Sequence, residues 1–192
     1  MTTPRILAFA GSTRKESYNT RLVHIAAEGA RQAGAEVTVI DLKDYPLPLF
    51  DEDLESEQGA PESAGRLKQL FLSHQGLLIS SPEYNSSITP LLKNTIDWVS
   101  RPAPDESPLA AYQGKFATLM AASPGALGGL RGLVHLRSIL GNIGVTVLPD
   151  QVAVSRAFEA FDENGRLNDA KQQARIENLG KQLATFLARF HA

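Results

Sequence analysis

The 192-residue chain contains no cysteine, which excludes disulfides, thiolate nucleophiles, CxxC redox pairs and iron–sulfur clusters together. Any redox chemistry must therefore come from a bound cofactor. An excess of charge of one sign is also missing: 19 Lys and Arg stand against 21 Asp and Glu, a formal charge of -2. That balance gives no electrostatic reason to expect nucleic acid or an anionic membrane as partner. No stretch approaches the ~20 apolar residues of a membrane span. Residues Met1 to Arg5 run into an apolar strand without the basic and apolar regions of a secretory signal, so a cytoplasmic protein is expected. The sequence has no GxxxxGK[ST] loop, no GxGxxG and no GxSxG nucleophile elbow. Its four histidines, His24, His74, His135 and His191, show no metal-ligand spacing with one another or with acids. No metal site is expected, and each histidine reads as a surface or packing residue.

What is present is a regular alternation. Hydrophobic residues make up 43% of the chain, enough at this length for one domain, residues 1–192, with a sizeable core. Short apolar runs at Ile6–Ala10, Val37–Ile40, Gly76–Ser80, Lys115–Ala121 and Val145–Leu148 read as strands. Between them lie helical patterns: Leu22, Val23, Ala26, Ala30 and Ala33 on one stripe, Pro61 to Ser73, Thr89 to Ser100, and Leu127 to Leu140. The last helix carries Ile176, Leu179, Leu183, Leu187 and Phe190 at spacings of three and four. Residues 42–60 form the longest irregular stretch, and the acid run Asp51–Glu55 within it reads as a solvated face. Alternation of strand and helix means an α/β fold, a parallel sheet covered on both faces. Five strands imply a flavodoxin-like three-layer sandwich with strand order 2-1-3-4-5.

In such sheets ligands bind at the carboxyl ends of the strands, which directs attention to three loops. The first, Gly11 to Thr20, combines a turn glycine, several hydroxyls, Arg14 and Lys15 at the start of a helix. Helix-start N–H groups and hydroxyls suit a phosphate dianion, and Arg14 adds a bidentate, charge-assisted contact. Without a Walker pattern the loop fits a mononucleotide phosphate and no attendant metal. The second, Ser80 to Thr89, places Pro82 and Asn85 in a rigid turn, with Tyr84 offering a surface for a planar heterocycle. The third, Ser123 to Leu130, carries Gly125, Gly128 and Gly129, which permit close approach of a ligand or tight helix–strand packing. The ligand reading is preferred because this is the third such loop on one sheet edge.

Gly11-Ser12-x-Arg14-x-x-Ser17-x-Asn19 after the first strand, with Pro82-Glu83-Tyr84-Asn85 after the third, resembles the NAD(P)H-dependent FMN reductase family, which includes chromate, quinone and azo-dye reductases. The stretch Thr89 to Trp98 is similar to that family's third helix. The resemblance implies FMN, with its phosphate on Ser12, Arg14, Ser17, Asn19 and Thr20. It sets the isoalloxazine against Pro82, Glu83, Tyr84 and Asn85, with Ser123 and the glycines Gly125, Gly128 and Gly129 behind it. It further implies NADPH or NADH as co-substrate and small molecules as electron acceptors: quinones, chromate, azo compounds or free flavin. No catalytic side chain is implied, since the flavin carries the chemistry. Arg14 and Arg101 are candidate contacts for a 2′-phosphate on the nicotinamide cofactor, although Arg101 reads more simply as a surface arginine. A homodimer or homotetramer is expected. Leu127, Leu130, Leu133, Val134, Leu136, Ile139 and Leu140 exceed a single stripe, so their helix has a second face to bury. The alternative is a flavodoxin-like electron carrier without NAD(P)H activity of its own, disfavoured by the mild charge and by a phosphate loop that lacks the carriers' threonine-rich pattern.

Overall fold

A computed structural model describes residues 3–190; Met1, Thr2 and His191, named above, lie outside them. The chain runs β1 (Arg5–Ala10), α1 (Tyr18–Gln32), β2 (Glu36–Ile40), α2 (Glu52–Gln58), α3 (Glu62–Ser73), β3 (Gly76–Ser80) and α4 (Pro90–Ser100). It continues with β4 (Phe116–Ala122), α5 (Leu130–Asn142), β5 (Thr146–Val154), α6 (Ala157–Ala160) and α7 (Ala170–Phe190). The five strands form one sheet in the order β2-β1-β3-β4-β5, and every pairing is parallel. β1, β3 and β4 occupy the middle and are buried along almost their whole length, which explains their unbroken apolar sequence.

Alternate side chains of the strands feed two cores. Ile6, Ala8, Leu78 and Met120 pack under α1 and α7, whereas Leu7, Phe9, Ile79 and Leu119 pack under α3, α4 and α5. α1 and α7 approach so closely that a methyl group on Gly29 would lie 2.0 Å from the Glu177 carbonyl oxygen. One on Gly180 would lie 1.8 Å from that of Ala26. The second face instead carries aromatics, Phe71 packing between Phe9 and Tyr112 with ring centroids 5.6 and 5.3 Å away.

Three boundaries differ from the sequence reading. Residues 42–60 are not wholly irregular: Leu42–Asp44 make a 3-10 turn, and α2 occupies Glu52–Gln58. The acid run is not merely a solvated face, because Asp51 caps α2 by accepting from the N–H of Asp53 at 2.8 Å, and Glu55 pairs with Arg101 at 2.8 Å. β5 does not stop at Leu148 but continues to Val154. A register shift opposite Ala117–Leu119 absorbs Pro149 on this edge strand, and Arg137 donates to the carbonyls of Val147 and Leu148 there. Finally, α5 begins at Leu130, leaving Leu127 in the preceding loop.

Candidate active site

The loops after β1, β3 and β4 meet at the carboxyl edge of the sheet around a cavity of about 320 Å³. Its walls are Ser12, Arg14, Ser17, Tyr18, Asn19, Pro82, Glu83, Tyr84, Ala122, Ser123 and Pro124. This volume lies at the lower end of the range for small-ligand sites, about 300–1,000 Å³.

The β1 loop has the donors an anion cradle would need. Ser17 is the N-cap of α1 and accepts from the N–H of Thr20 at 3.4 Å. The main-chain N–H groups of Tyr18 and Asn19 in the first turn find no acceptor among the described residues. Ser12, half-buried, accepts from the N–H of Arg14 at 3.3 Å. Arg14 is exposed, donates to the Glu16 carbonyl at 2.5 Å and lies 5.1 Å from the Tyr18 ring centroid. Tyr18 in turn stacks on Phe161 at 5.8 Å, so the segment following β5 flanks the cradle. Gly11 sits where a methyl group would meet Leu92 at 3.0 Å, and its carbonyl accepts from Thr89 Oγ1 at 2.8 Å. That bond ties the α4 start to the loop.

Asn19 is placed differently from the other hydroxyl and amide groups. Its side chain is buried, with Oδ1 accepting from Ser80 Oγ and the Ala122 N–H, and Nδ2 donating to the Ala122 carbonyl.

The β3 loop is a tight hairpin. Tyr84 and Ser87 exchange main-chain bonds of 2.9 and 3.0 Å, and Asn85 and Ser86 take positive φ of 49 and 68°. Asn is among the few non-glycine residues that enter this region readily. Tyr84 is thereby held out, 55% exposed, on the cavity rim. Glu83 turns away from solvent. Arg131 donates to its Oε1 at 2.6 and 2.9 Å, and the Gly132 N–H in the first turn of α5 donates to Oε2 at 3.1 Å. Burial pushes the Glu83 carboxyl up, but the Gly132 bond and the Arg131 charge outweigh it and hold the group below the usual carboxylate range.

In the β4 loop, Ser123 Oγ accepts from the Gly125 N–H at 3.2 Å, and its carbonyl receives the N–H of Ala157 at 3.1 Å. Gly128 and Gly129 have φ of 64 and 95°. Side chains there would fall 2.8 Å from the Val154–Ser155 main chain and from Ala121 Cβ respectively. Helix–strand packing thus accounts for both, while a methyl group on Gly125 would meet only Ser123 Oγ, at an ordinary 3.6 Å. Thr20 and Asn85 adjoin the cavity in sequence but do not wall it, and Arg101 is engaged by Glu55.

Sequence reasoning missed Arg131, Ser80, Ala122, Tyr18 and the Phe161 segment. Only Tyr18 carried a local signal, an aromatic inside the phosphate-type loop. The others meet their partners in the site across 48 to 143 positions of the chain.

Comparison with known proteins bears on this architecture. The chain is 34% identical over 186 residues to an NAD(P)H-dependent FMN reductase of Pseudomonas aeruginosa, covering 96% of each. It is 32% identical over 187 residues to a quinone reductase of Escherichia coli, covering 95% of this chain and 93% of the relative. Among solved structures it is similar to a flavoenzyme NAD(P)H:(acceptor) oxidoreductase of Paracoccus denitrificans, with a TM-score of 0.80, 26% identity and coverage of 97% and 98%. Residues 4–159, containing all three loops, match the family model of NADPH-dependent FMN reductase, and the chain belongs to that family.

Proposed function

We propose that this chain is a single-domain NAD(P)H-dependent quinone reductase whose FMN phosphate occupies the cradle before α1 and whose flavin ring lies against the Pro82–Asn85 hairpin. One observation carries the reading: a single cavity has unpaired helix-start N–H groups and hydroxyls at one end and Pro82, Tyr84 and Pro124 at the other. A group with a phosphate and a planar ring fits that polarity.

FMN, when bound, supplies the redox chemistry, taking two electrons from NAD(P)H and giving them to the acceptor. The chain's part is to hold and orient. Ser12 and Ser17 offer hydroxyls to the phosphate, Tyr18 and Asn19 their main-chain N–H groups, and Arg14 its guanidinium in place of the Glu16 carbonyl. The hairpin offers the main-chain N–H groups of Glu83 and Asn85 to the ring's polar edge, while Glu83 keeps its charge on Arg131 and away from the electron-rich ring. Ser123 and Pro124 close the third side. No side chain need act as general base, and chromate, azo compounds and free flavin are further acceptors open to the same reduced cofactor.

The chain also presents Leu127, Leu130 and Val134, 51%, 43% and 58% exposed, beside the cavity. These support burial of the second α5 face in a homodimer or homotetramer. No described helix is long and apolar enough to cross a membrane, and a cytoplasmic enzyme is the simplest setting.

The test is spectroscopic. The purified chain, alone or after addition of FMN, should absorb near the flavin bands at about 370 and 450 nm and bleach within seconds on anaerobic addition of NADPH. Reoxidation by a quinone should restore the spectrum. A bound flavin that NADPH leaves oxidised would refute the reading.

A further inference from the structure

The resemblance assigns Asn19 to the phosphate, but its side chain has little left to give. Asn19 is 4% exposed. Oδ1 accepts from the Ala122 N–H at 2.9 Å and from Ser80 Oγ at 2.8 Å, and Nδ2 donates to the Ala122 carbonyl at 2.9 Å. Both lone pairs of the amide oxygen and one of its two N–H groups are therefore used within the fold.

The pattern is that of a missing peptide unit. β3 and β4 remain in register as far as Ser80 opposite Met120, and Ser81 N–H still donates to the Met120 carbonyl at 2.9 Å. The next residue of the β3 chain is Pro82, which has no N–H, and the hairpin turns away. Ala122 is thus left with a buried N–H and C=O facing a strand that has ended. Leaving such groups unpaired is costly. The Asn19 amide, arriving from α1, supplies one donor and one acceptor in their place and takes the Ser80 hydroxyl as well.

We infer that the Asn19 side chain is a positioning residue, which fixes the β3 and β4 loops against the α1 start, and that it is not a phosphate ligand. The inference rests on FMN occupying this cavity. Asn19 then acts twice by separable parts. Its main-chain N–H points with that of Tyr18 at the phosphate position, while its amide lets β3 and β4 diverge around the cavity without an unsatisfied main-chain group. Substitution leaves the main-chain N–H in place, so the effect of a variant reports on the amide alone.

The experiment compares Asn19→Ala and Ser80→Ala with the wild-type chain. Amide hydrogen exchange is read on the flavin-free proteins over residues 80–84 and 120–125, and FMN affinity by fluorescence titration. Asn19→Ala should accelerate exchange about tenfold or more in both segments before any flavin is present and weaken FMN binding by about tenfold. Ser80→Ala, which removes one of three bonds and tolerates the loss more easily, should show both effects at about threefold. If FMN binding weakens while exchange in both segments stays at the wild-type rate, Asn19 is a phosphate ligand and the inference fails. If exchange accelerates with FMN affinity unchanged in both variants, the amide merely packs the core and the inference fails equally. A wild-type chain that takes up no FMN overturns the proposed cofactor site and the role of Asn19 together, and that result is told apart because it requires no variant.

Discussion

The two ends of the sheet bury polar side chains for different purposes. At the carboxyl end, the groups that fasten the strands are neutral: the Asn19 amide and the hydroxyls of Ser80 and Thr89. Charges there stand at the rim, Arg14 exposed and Glu83 matched by Arg131. At the amino end, titratable groups do the fastening. Lys115 precedes β4 and donates to the His74 carbonyl at 2.6 Å. The His74 ring lies between the Leu70 carbonyl at 2.6 Å and Thr38 Oγ1 at 2.8 Å. A carbonyl can only accept, so Nδ1 carries the proton and Nε2 receives the Thr38 hydroxyl. One end is fastened by groups that do not titrate at any ordinary pH. The other couples the fold to pH without touching the site, and the contrast can be tested by uncoupling the two.

The largest effect is expected at Lys115. Burial lowers its ammonium from 10.5 to about 8, so between those values the unfolded chain holds the proton more tightly than the folded one. Stability should therefore rise with pH, by about 2 kcal/mol from pH 8 to about pH 9.5. Urea titrations at several pH values measure this. Lys115→Met should flatten the rise and leave FMN affinity unchanged; a rise that persists in the variant would place its origin elsewhere.

Arg14→Ala should do the reverse. FMN affinity should fall roughly 10- to 100-fold, the range for losing a charge-assisted bidentate contact, with the melting temperature of the flavin-free chain unchanged. A loss of melting temperature comparable to the loss of affinity would blur the distinction between the two ends.

A smaller effect, about three- to tenfold in FMN affinity, is expected from Glu83→Gln and from Arg131→Ala, since each releases the hairpin from α5. The double variant should cost no more than either single one. If Arg131→Ala alone left affinity intact, the Glu83 carboxylate would be acting on the ligand directly.

The smallest effect belongs to His74, whose imidazole burial holds below its ordinary 6.5, with Arg5 and Lys115 assisting and the Leu70 carbonyl and Glu36 opposing. Below pH 6.5 the unfolded chain takes up the proton first, so stability falls as the pH drops towards the folded value. The loss should be small and absent in His74→Asn. FMN affinity over that interval should not follow it.

The strands and the three loops that meet at the carboxyl edge of the sheet were legible because each is a local statement. A fully buried parallel strand reads as an unbroken apolar run, as Leu77–Ile79 does in β3, and Thr89-Pro90 announces a helix by its own cap and fixed φ. α2 escaped because none of its residues is buried and no apolar stripe marks it; its cap Asp51 and its partner Arg101 hold it instead. The end of β5 escaped because Pro149 looks like a stop, and only Arg137, twelve residues earlier, makes the bulge tolerable. Within the site, the chemistry of a residue was readable but its partner was not. Glu83 looks the same in sequence whether its carboxylate faces a ring or an arginine 48 positions away. Asn19 looks the same whether its amide serves a ligand or a strand 103 positions away.

The bare contact between α1 and α7 bears on how the molecule is made. Gly29 and Gly180 let the two helices touch main chain to main chain, so α1 packs against a helix made about 150 residues later. Until residues near 180 have emerged, Ala26, Ala27 and Ala30 have no cover, and the apolar face of a nascent sheet lies open beside them. Such distant closure slows folding and prolongs exposure. The loop before α1 is therefore synthesised early but steadied late, once α7 has docked.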